Sequence, residues 1–411
     1  MKKVLVVAPF LPYPFLSGGH QAIYNGLMAI PDNVEIYLTY PSYPWESDAE
    51  HGLLTQLNKN VTLLPFKLDQ NSRGEKILDR IYKIKYLIKR AIKGEKAIPG
   101  KQSPYEMWLN QLMPKSETFI KHINRAIDQY AIDIVQCEML ESLSLVLSFP
   151  QKVKTIFVHH ELGFIRKSQH PFLLEEPMAG NAHVEINRII EVNLLNRYNQ
   201  IITLSSIDTK KLQDAGVDAP IHTSFAIVNT PLRDYHESTT NGYLSFVGPE
   251  WHPSNKEGLL WFLSNCWEDL LLSNKDYSLR VIGNWTEDTK RIISSRYQKV
   301  EFMGYVEDLE NAIKDTIMIV PITIGSGIRM KILEACMIGV PVVTTSIGKE
   351  GLPLVNGEHC CIADSPFEFV KSIESLSDPS LRGLFVKAAQ NVIKEQYSLS
   401  ALKKNREPLY E

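Results

Sequence analysis

Cysteine is sparse and unpaired in this chain of 411 residues: Cys137, Cys266, Cys336, Cys360 and Cys361, with no C-x-x-C spacing among them. An odd, scattered set builds no disulfide framework, and structural zinc wants paired ligands at short spacing, so reduced thiols and no metal are expected. Charge of one sign is lacking too. Lys+Arg 44 against Asp+Glu 47 leaves a formal net charge of -3, which gives no bulk electrostatic hold on nucleic acid. No uninterrupted apolar run reaches the roughly 20 residues of a membrane helix. The most apolar uncharged stretch of the C-terminal half, between Asp315 and Arg329, is broken by Pro321, Gly325 and Gly327. Lys2-Lys3 before Val4 to Ala8 has the look of a leader, but Pro9, Pro12 and Pro14 follow at once, and a buried first strand is the better reading. An Asp-x-Asp motif is absent, as is a strand followed by Gly-x-Gly-x-x-Gly at the N-terminus, which argues against a nicotinamide-linked enzyme.

What is present is ordinary globular material, 44% hydrophobic and 22% charged, long enough for two domains and a cleft. Short runs rich in Val and Ile alternate with longer amphipathic segments, the pattern of parallel sheets covered on both faces. Strands are expected at 3–8, 34–39, 61–65, 132–137, 154–158 and 200–204, then at 243–247, 278–282, 299–302, 316–320, 341–344 and 360–362. The two groups of six imply an N-terminal domain over 1–225 and a C-terminal one over 243–395. Between them 226–242 turns polar, with Ser238-Thr239-Thr240 and Asn241-Gly242, a composition suited to a hinge. Residues 73–101 stand apart. Arg73, Lys76, Arg80, Lys83, Lys89 and Arg90 flank Ile77, Ile81, Ile84, Ile88 and Ile92 at helical spacing. Such a segment suits either a helix packed on its own domain with a solvated basic face or an interfacial membrane helix.

The most informative stretch is Ile319 to Thr345. A strand ends at Gly325-Ser326-Gly327 and a helix begins, so the backbone can approach an anion where free N–H groups and the helix dipole favour phosphate. Arg329 belongs in the capping turn and Lys331 in the first turn proper. Glu334, three residues further on the same face, is placed to accept from ribose hydroxyls.

Gly325-Ser326-Gly327-x-Arg329-x-Lys331-x-x-Glu334-Ala335, then Gly339-Val340-Pro341, then Gly348-x-Glu350-Gly351-Leu352 closely resembles glycosyltransferase family 4, among the group 1 glycosyl transferases. Phe246-Val247-Gly248, Pro253-x-Asn255 and Phe302-x-Gly304-Tyr305 extend the likeness over about 240 to 400. The resemblance implies an α/β GT-B fold, two Rossmann-like doubly wound domains facing across a cleft, with 396–411 returning to the first domain. It also implies a retaining enzyme that takes a sugar from a nucleoside-diphosphate sugar, with UDP the favoured nucleotide and no cofactor. Gly248, Gly325, Ser326, Gly327, Ile328, Glu334, Glu350 and Gly351 would hold the donor, and Arg329 and Lys331 its diphosphate. Two departures stand out: Ser326 takes the place of the family's usual second carboxylate, and Pro249-Glu250 follows Gly248 where an Arg is usual.

The N-terminal half matches more loosely. Gly18, Gly19 and His20 fall between the first strand and a helix expected near Gln21. His159-His160-Glu161 follows a strand directly, and the carboxyl ends of parallel strands are where such sheets place their sites. One imidazole is expected on the donor sugar; which of the two faces inward stays open, with family position favouring His159. Glu138, Glu141 and Glu161 are candidates for the acceptor side. The partners implied are a nucleotide sugar and a glycan or lipid-linked acceptor, in the cytoplasm or at the inner face of the membrane through 73–101, with no nucleic acid. A non-catalytic nucleotide-sugar-binding subunit and a GT-B epimerase or hydrolase are the competing readings.

Overall fold

The structure is a computed structural model that describes residues 1–15, 17–42, 47–57, 59–67, 109–169, 173, 177–233, 235, 242–273 and 276–411. The basic segment 73–101 lies outside them. Two sheets carry the chain, and every strand pairing in both is parallel.

The first sheet contains β1 (Lys3–Val7), β2 (Glu35–Ser42), β3 (Val61–Lys67), β4 (Ile134–Glu138), β5 (Lys154–His159), β6 (Gln200–Thr203) and β7 (Ile221–Thr223), in the order β3-β2-β1-β4-β5-β6-β7. The second contains β8 (Tyr243–Val247), β9 (Ser278–Ile282), β10 (Val300–Gly304), β11 (Ile317–Val320), β12 (Val342–Thr344) and β13 (Cys361–Ile362), in the order β10-β9-β8-β11-β12-β13. Both orders reverse direction beside their first strand. The topological switch points therefore lie between β1 and β4 and between β8 and β11, where open α/β sheets bind ligands. Each expected strand is present. β7 was not anticipated, because three half-exposed residues at a sheet edge show too little alternation to register.

Alternate side chains of each strand feed opposite cores. Val4, Val6, Ile134, Ile156 and Val158 face one cluster, while Leu5, Val7, Val135, Cys137 and Phe157 face another. In the second sheet Phe246, Val281, Ile317 and Ile319 divide in the same way from Ile282, Met318 and Val320. Burial on both faces is why these strands read as unbroken apolar runs. The cysteines are all free and buried, and burial pushes Cys137, Cys266, Cys336 and Cys360 up to about 12.

The polypeptide crosses between the sheets twice. On the first crossing, Asn25 Nδ2 donates to the Ile227 carbonyl at 2.6 Å, and Arg233 Nε reaches Glu310 at 2.8 Å. On the second, the Pro379–Gln396 helix belongs to the second sheet, and the Leu399–Arg406 helix that follows packs on the Gly18–Ala29 helix of the first. Leu409 and Tyr410 then join the core beneath β1, and Lys154 Nζ donates to the Leu409 carbonyl at 2.9 Å. Among the described residues no helix is long and apolar enough to cross a membrane.

Candidate functional site

The carboxyl edges of the two sheets face each other and touch. Gln21 Nε2 donates to Glu334 Oε1 at 2.6 Å, Gly325 N donates to Gln169 Oε1 at 2.5 Å, and Ser326 Oγ donates to the Leu162 carbonyl at 3.2 Å. Lys211 pairs with Glu350. Glycine makes the approach possible at Gly327. Its φ is +79°, and a Cβ there would lie 2.5 Å from the His160 carbonyl oxygen. Gly351, at φ +79°, is equally constrained, since a Cβ would meet Ile328 at 2.6 Å and Ser205 at 3.0 Å. Gly18 abuts Met330 and Gly19 abuts Met139. These two glycines are the first turn of the Gly18–Ala29 helix, which begins three residues before the expected Gln21. Beside them His20 Nδ1 bonds Ser17 Oγ at 2.8 Å and its ring stacks on Phe10. Burial lowers that imidazole to about 4.

On the second sheet the chain leaves β11, turns through Gly325-Ser326-Gly327 and enters the Met330–Ile338 helix, which ends where Gly339 takes φ 87°. Arg329 is its N-cap residue and supplies no side-chain cap, so the first-turn N–H groups keep no intrahelical partner. The guanidinium folds back, with Nη1 donating to the Ser326 carbonyl at 2.5 Å and the Gly327 carbonyl at 2.6 Å. Its Nε and Nη2 are buried with no partner among the described residues. Burial works against this charge, and Glu161, Glu350 and Asp208 sustain it. Lys331 donates to the Val247 carbonyl and, at 2.7 Å, to Asn255 Oδ1. Burial, helped by Arg329 and opposed by Glu334, brings its amine down to about 7. Glu334 is raised by burial against the pull of Gln21 and Lys331. Gly248 follows β8 directly, against Asn255, and its carbonyl accepts from Trp285 Nε1 at 2.9 Å. Glu250, which stands where an Arg is usual, is tied away: burial would raise it, but bonds from Lys256, Thr289 and Thr286 hold it down to about 2.

The two histidines part company at the end of β5. His159 follows the Phe157 face and is fully buried, with Nε2 at 3.0 Å from Glu191 Oε1. Glu191 also accepts from Gly163 N and Phe164 N at 3.1 Å each. His160 turns to the other face and donates from Nε2 to Glu138 Oε2 at 2.6 Å. Family position favoured His159 as the cleft-facing imidazole; its ring is instead buried against Glu191 and Phe157. Glu138 is 1% exposed, with its other oxygen taken by Gln136 Nε2 at 2.6 Å, so it supports His160 and is closed to an acceptor hydroxyl. Glu161 pairs with Arg166 at 2.8 Å. Arg166 also reaches Gln111, whose amide donates to Glu141 at 3.4 Å.

Residues 241–378 match the family model described as Glycosyl transferases group 1. Among curated proteins, one described as an uncharacterized 44.6 kDa protein in cps region of Klebsiella pneumoniae is 29% identical over 188 residues. That match takes in 44% of this chain and 47% of the relative, so it spans about half of either. Solved structures resemble the whole chain, TarM and HepE among them. S. aureus TarM, as a mutant in complex with fondaparinux, alpha-GlcNAc-glycerol and UDP, gives a TM-score of 0.71 at 11% identity, with 100% of both chains covered. Anabaena HepE in complex with UDP-glucose gives 0.64 at 14% identity, covering 100% of this chain and 99% of its own. At such identities the likeness is one of fold, and it establishes the two-domain GT-B architecture.

Arg329, Lys331, Glu334, Gly325, Ser326, Gly327, Gly248 and His160 thus converge on one cleft, with Ile328, Glu350 and Gly351 on its flank. Three contributors escaped the sequence reading. Gln21 and Gln169 reach across the domains, and a lone glutamine carries no pattern. His252 precedes the Pro253–Asn265 helix; burial, partly offset by Glu161, takes it to about 4. Among the described residues no group of three or more His, Cys, Asp or Glu comes together as a metal-holding cluster.

Proposed function

We propose that the chain is a retaining glycosyltransferase that moves a sugar from a nucleoside-diphosphate sugar to a hydroxyl acceptor in surface polysaccharide or glycoconjugate synthesis. The observation that carries this is Arg329. Two of its guanidinium nitrogens are buried without partners among the described residues, beside a glycine turn, a helix N-terminus and Lys331. A buried unpaired donor costs about 1–3 kcal/mol, more when charged, and a diphosphate seated there would satisfy both nitrogens. UDP in the TarM and HepE structures supports a uridine nucleotide, and the relative in a cps region supports polysaccharide synthesis.

Breaking the anomeric C–O bond builds positive charge on the sugar and negative charge on the departing diphosphate. Arg329, Lys331 and the Met330–Ile338 helix dipole are fixed groups at the second charge, and fixed donors of this kind are worth about 2.7–4 kcal/mol each. Glu334 takes the ribose hydroxyls once Gln21 yields, and His160, held by Glu138, meets the donor sugar. The acceptor oxygen attacks from the leaving-group side and gives its proton to the diphosphate, so configuration is retained. The segment 73–101 would bring the enzyme to an anionic membrane surface and a lipid-linked acceptor.

Thermal shift with UDP, GDP, CDP and ADP identifies the base; no shift with any of them overturns the reading. Release of nucleoside diphosphate with and without acceptor separates transfer from hydrolysis or mere binding. A product of inverted anomeric configuration by NMR overturns retention, and failure to float with anionic vesicles removes the membrane contact.

A further inference from the structure

Beneath the cleft, a chain of buried polar side chains runs from Tyr410 to His160. Tyr410 OH donates to Gln136 Oε1, Gln136 Nε2 donates to Glu138 Oε1, and His160 Nε2 donates to Glu138 Oε2, each at 2.6 Å. Gln136, Glu138 and Tyr410 are 0%, 1% and 2% exposed. Spacing of two along β4 puts Ile134, Gln136 and Glu138 on one face, the face whose core holds Val4, Val6, Ile156 and Tyr410. Apolar side chains would fill these positions at less cost, since a buried polar group is unfavourable unless fully bonded.

A second group comes from the same C-terminal segment. Arg406 Nε donates to Ser224 Oγ at 3.0 Å, while its Nη1 has no partner among the described residues. Nη1 and Glu138 Oε1 both lie within 4 Å of the point a Cβ on Gly26 would occupy. The C-terminal segment therefore brings a hydrogen-bond donor to Gln136 and a positive charge into the neighbourhood of the carboxylate that holds His160.

We propose that Tyr410 and Gln136 are positioning residues that fix Glu138, and through it the orientation and tautomer of His160, so that Tyr410, 250 positions beyond His160 in sequence, tunes the cleft. The proposal rests on the reading of His160 as the imidazole that meets the donor sugar. With Oε1 of Glu138 occupied by Gln136, only Oε2 is left for His160. In the neutral ring, a proton held on Nε2 toward Oε2 makes Nδ1 the acceptor nitrogen. Tyr410 in turn holds the Gln136 amide in the one orientation that offers a donor to the carboxylate.

The test uses the full chain labelled with 15N-histidine, His160 being assigned by loss of its signals in His160→Gln. In Tyr410→Phe, which keeps the ring, and in Gln136→Met, which keeps the volume, the His160 ring nitrogen shifts should move while those of His159, held separately by Glu191, stay in place. Unmoved His160 signals in both variants overturn the proposal, and this readout needs no substrate. With UDP-glucose as probe, Tyr410→Phe is expected to lower kcat about tenfold, the scale of one buried hydrogen bond, with KM unchanged. The same substitution made on top of His160→Ala should cost nothing more; a full further loss there, or a change confined to KM, counts against positioning. Absence of UDP-glucose turnover in the unmodified protein speaks to the donor assignment, and the NMR result still decides the relay.

Discussion

Lys331 is the group whose charge state the cleft controls most directly. Its amine sits near 7 because burial and Arg329 disfavour the charge more than Glu334 supports it. A diphosphate arriving beside it reverses that balance, because an adjacent negative charge favours the protonated form. Binding then takes up a proton wherever the free protein has lost it, which is above about pH 7. Between pH 7.5 and 9 the affinity for UDP should fall by up to about tenfold per pH unit, since one proton is linked to one ligand. The last ionisation of a terminal phosphate, near 6, is complete below that window. Isothermal titration with UDP in two buffers of different ionisation enthalpy measures both the slope and the proton count. Lys331→Met keeps the aliphatic volume and cannot titrate, so its affinity should be weaker at pH 7 and nearly flat above it. For the free protein the dependence runs the other way. The folded amine at about 7 lies below its unfolded value of 10.5, so the unfolded chain holds a proton that the folded one has released. From pH 7 to 10 the wild type should gain stability relative to Lys331→Met, and below pH 7 the buried ammonium is a standing cost. UDP affinity that stays level from pH 7.5 to 9, or that falls equally in Lys331→Met, refutes this account of the site.

Other perturbations reach separate parts of the structure. Gly327→Ala sets a Cβ 2.5 Å from the His160 carbonyl oxygen at a φ of +79°; it should part the domains and raise the radius of gyration in X-ray scattering, at a cost of about 1–3 kcal/mol, and unchanged scattering would speak against the closed contact. Glu191→Ala strips the Gly163 and Phe164 amides and His159 of their acceptor. At about 1–3 kcal/mol per buried unpaired group, urea titration should show at least 3 kcal/mol lost, and a loss below about 1 kcal/mol would deny these bonds their structural role. Gln21→Leu removes the donor to Glu334 and should weaken closure by about 1 kcal/mol, seen as faster amide exchange in the Gly18–Ala29 helix; unaltered exchange means that the contact contributes nothing to closure.

What the sequence determined by itself was whatever depends on local order. Unbroken Val and Ile runs announced the strands, because burial on both faces leaves no polar alternation. The Gly325 to Glu334 spacing announced the strand, turn and helix, because glycine, capping position and helical period are properties of neighbours. The divergence of His159 and His160 was equally legible, since successive strand residues must face opposite ways. Which face meets the cleft was not. That depended on Glu191 arriving from the Pro177–Leu195 helix on one side of β5 and Glu138 from the end of β4 on the other. The pairing of Gln21 with Glu334, the acceptance of the Gly325 amide by Gln169 and the line from Tyr410 to His160 join residues with no periodic relation. Only the docking of two sheets edge to edge, and the return of the C-terminus beneath the first, put those polar groups within hydrogen-bonding distance, because contact between remote segments is fixed by packing and leaves no mark in the order of the residues.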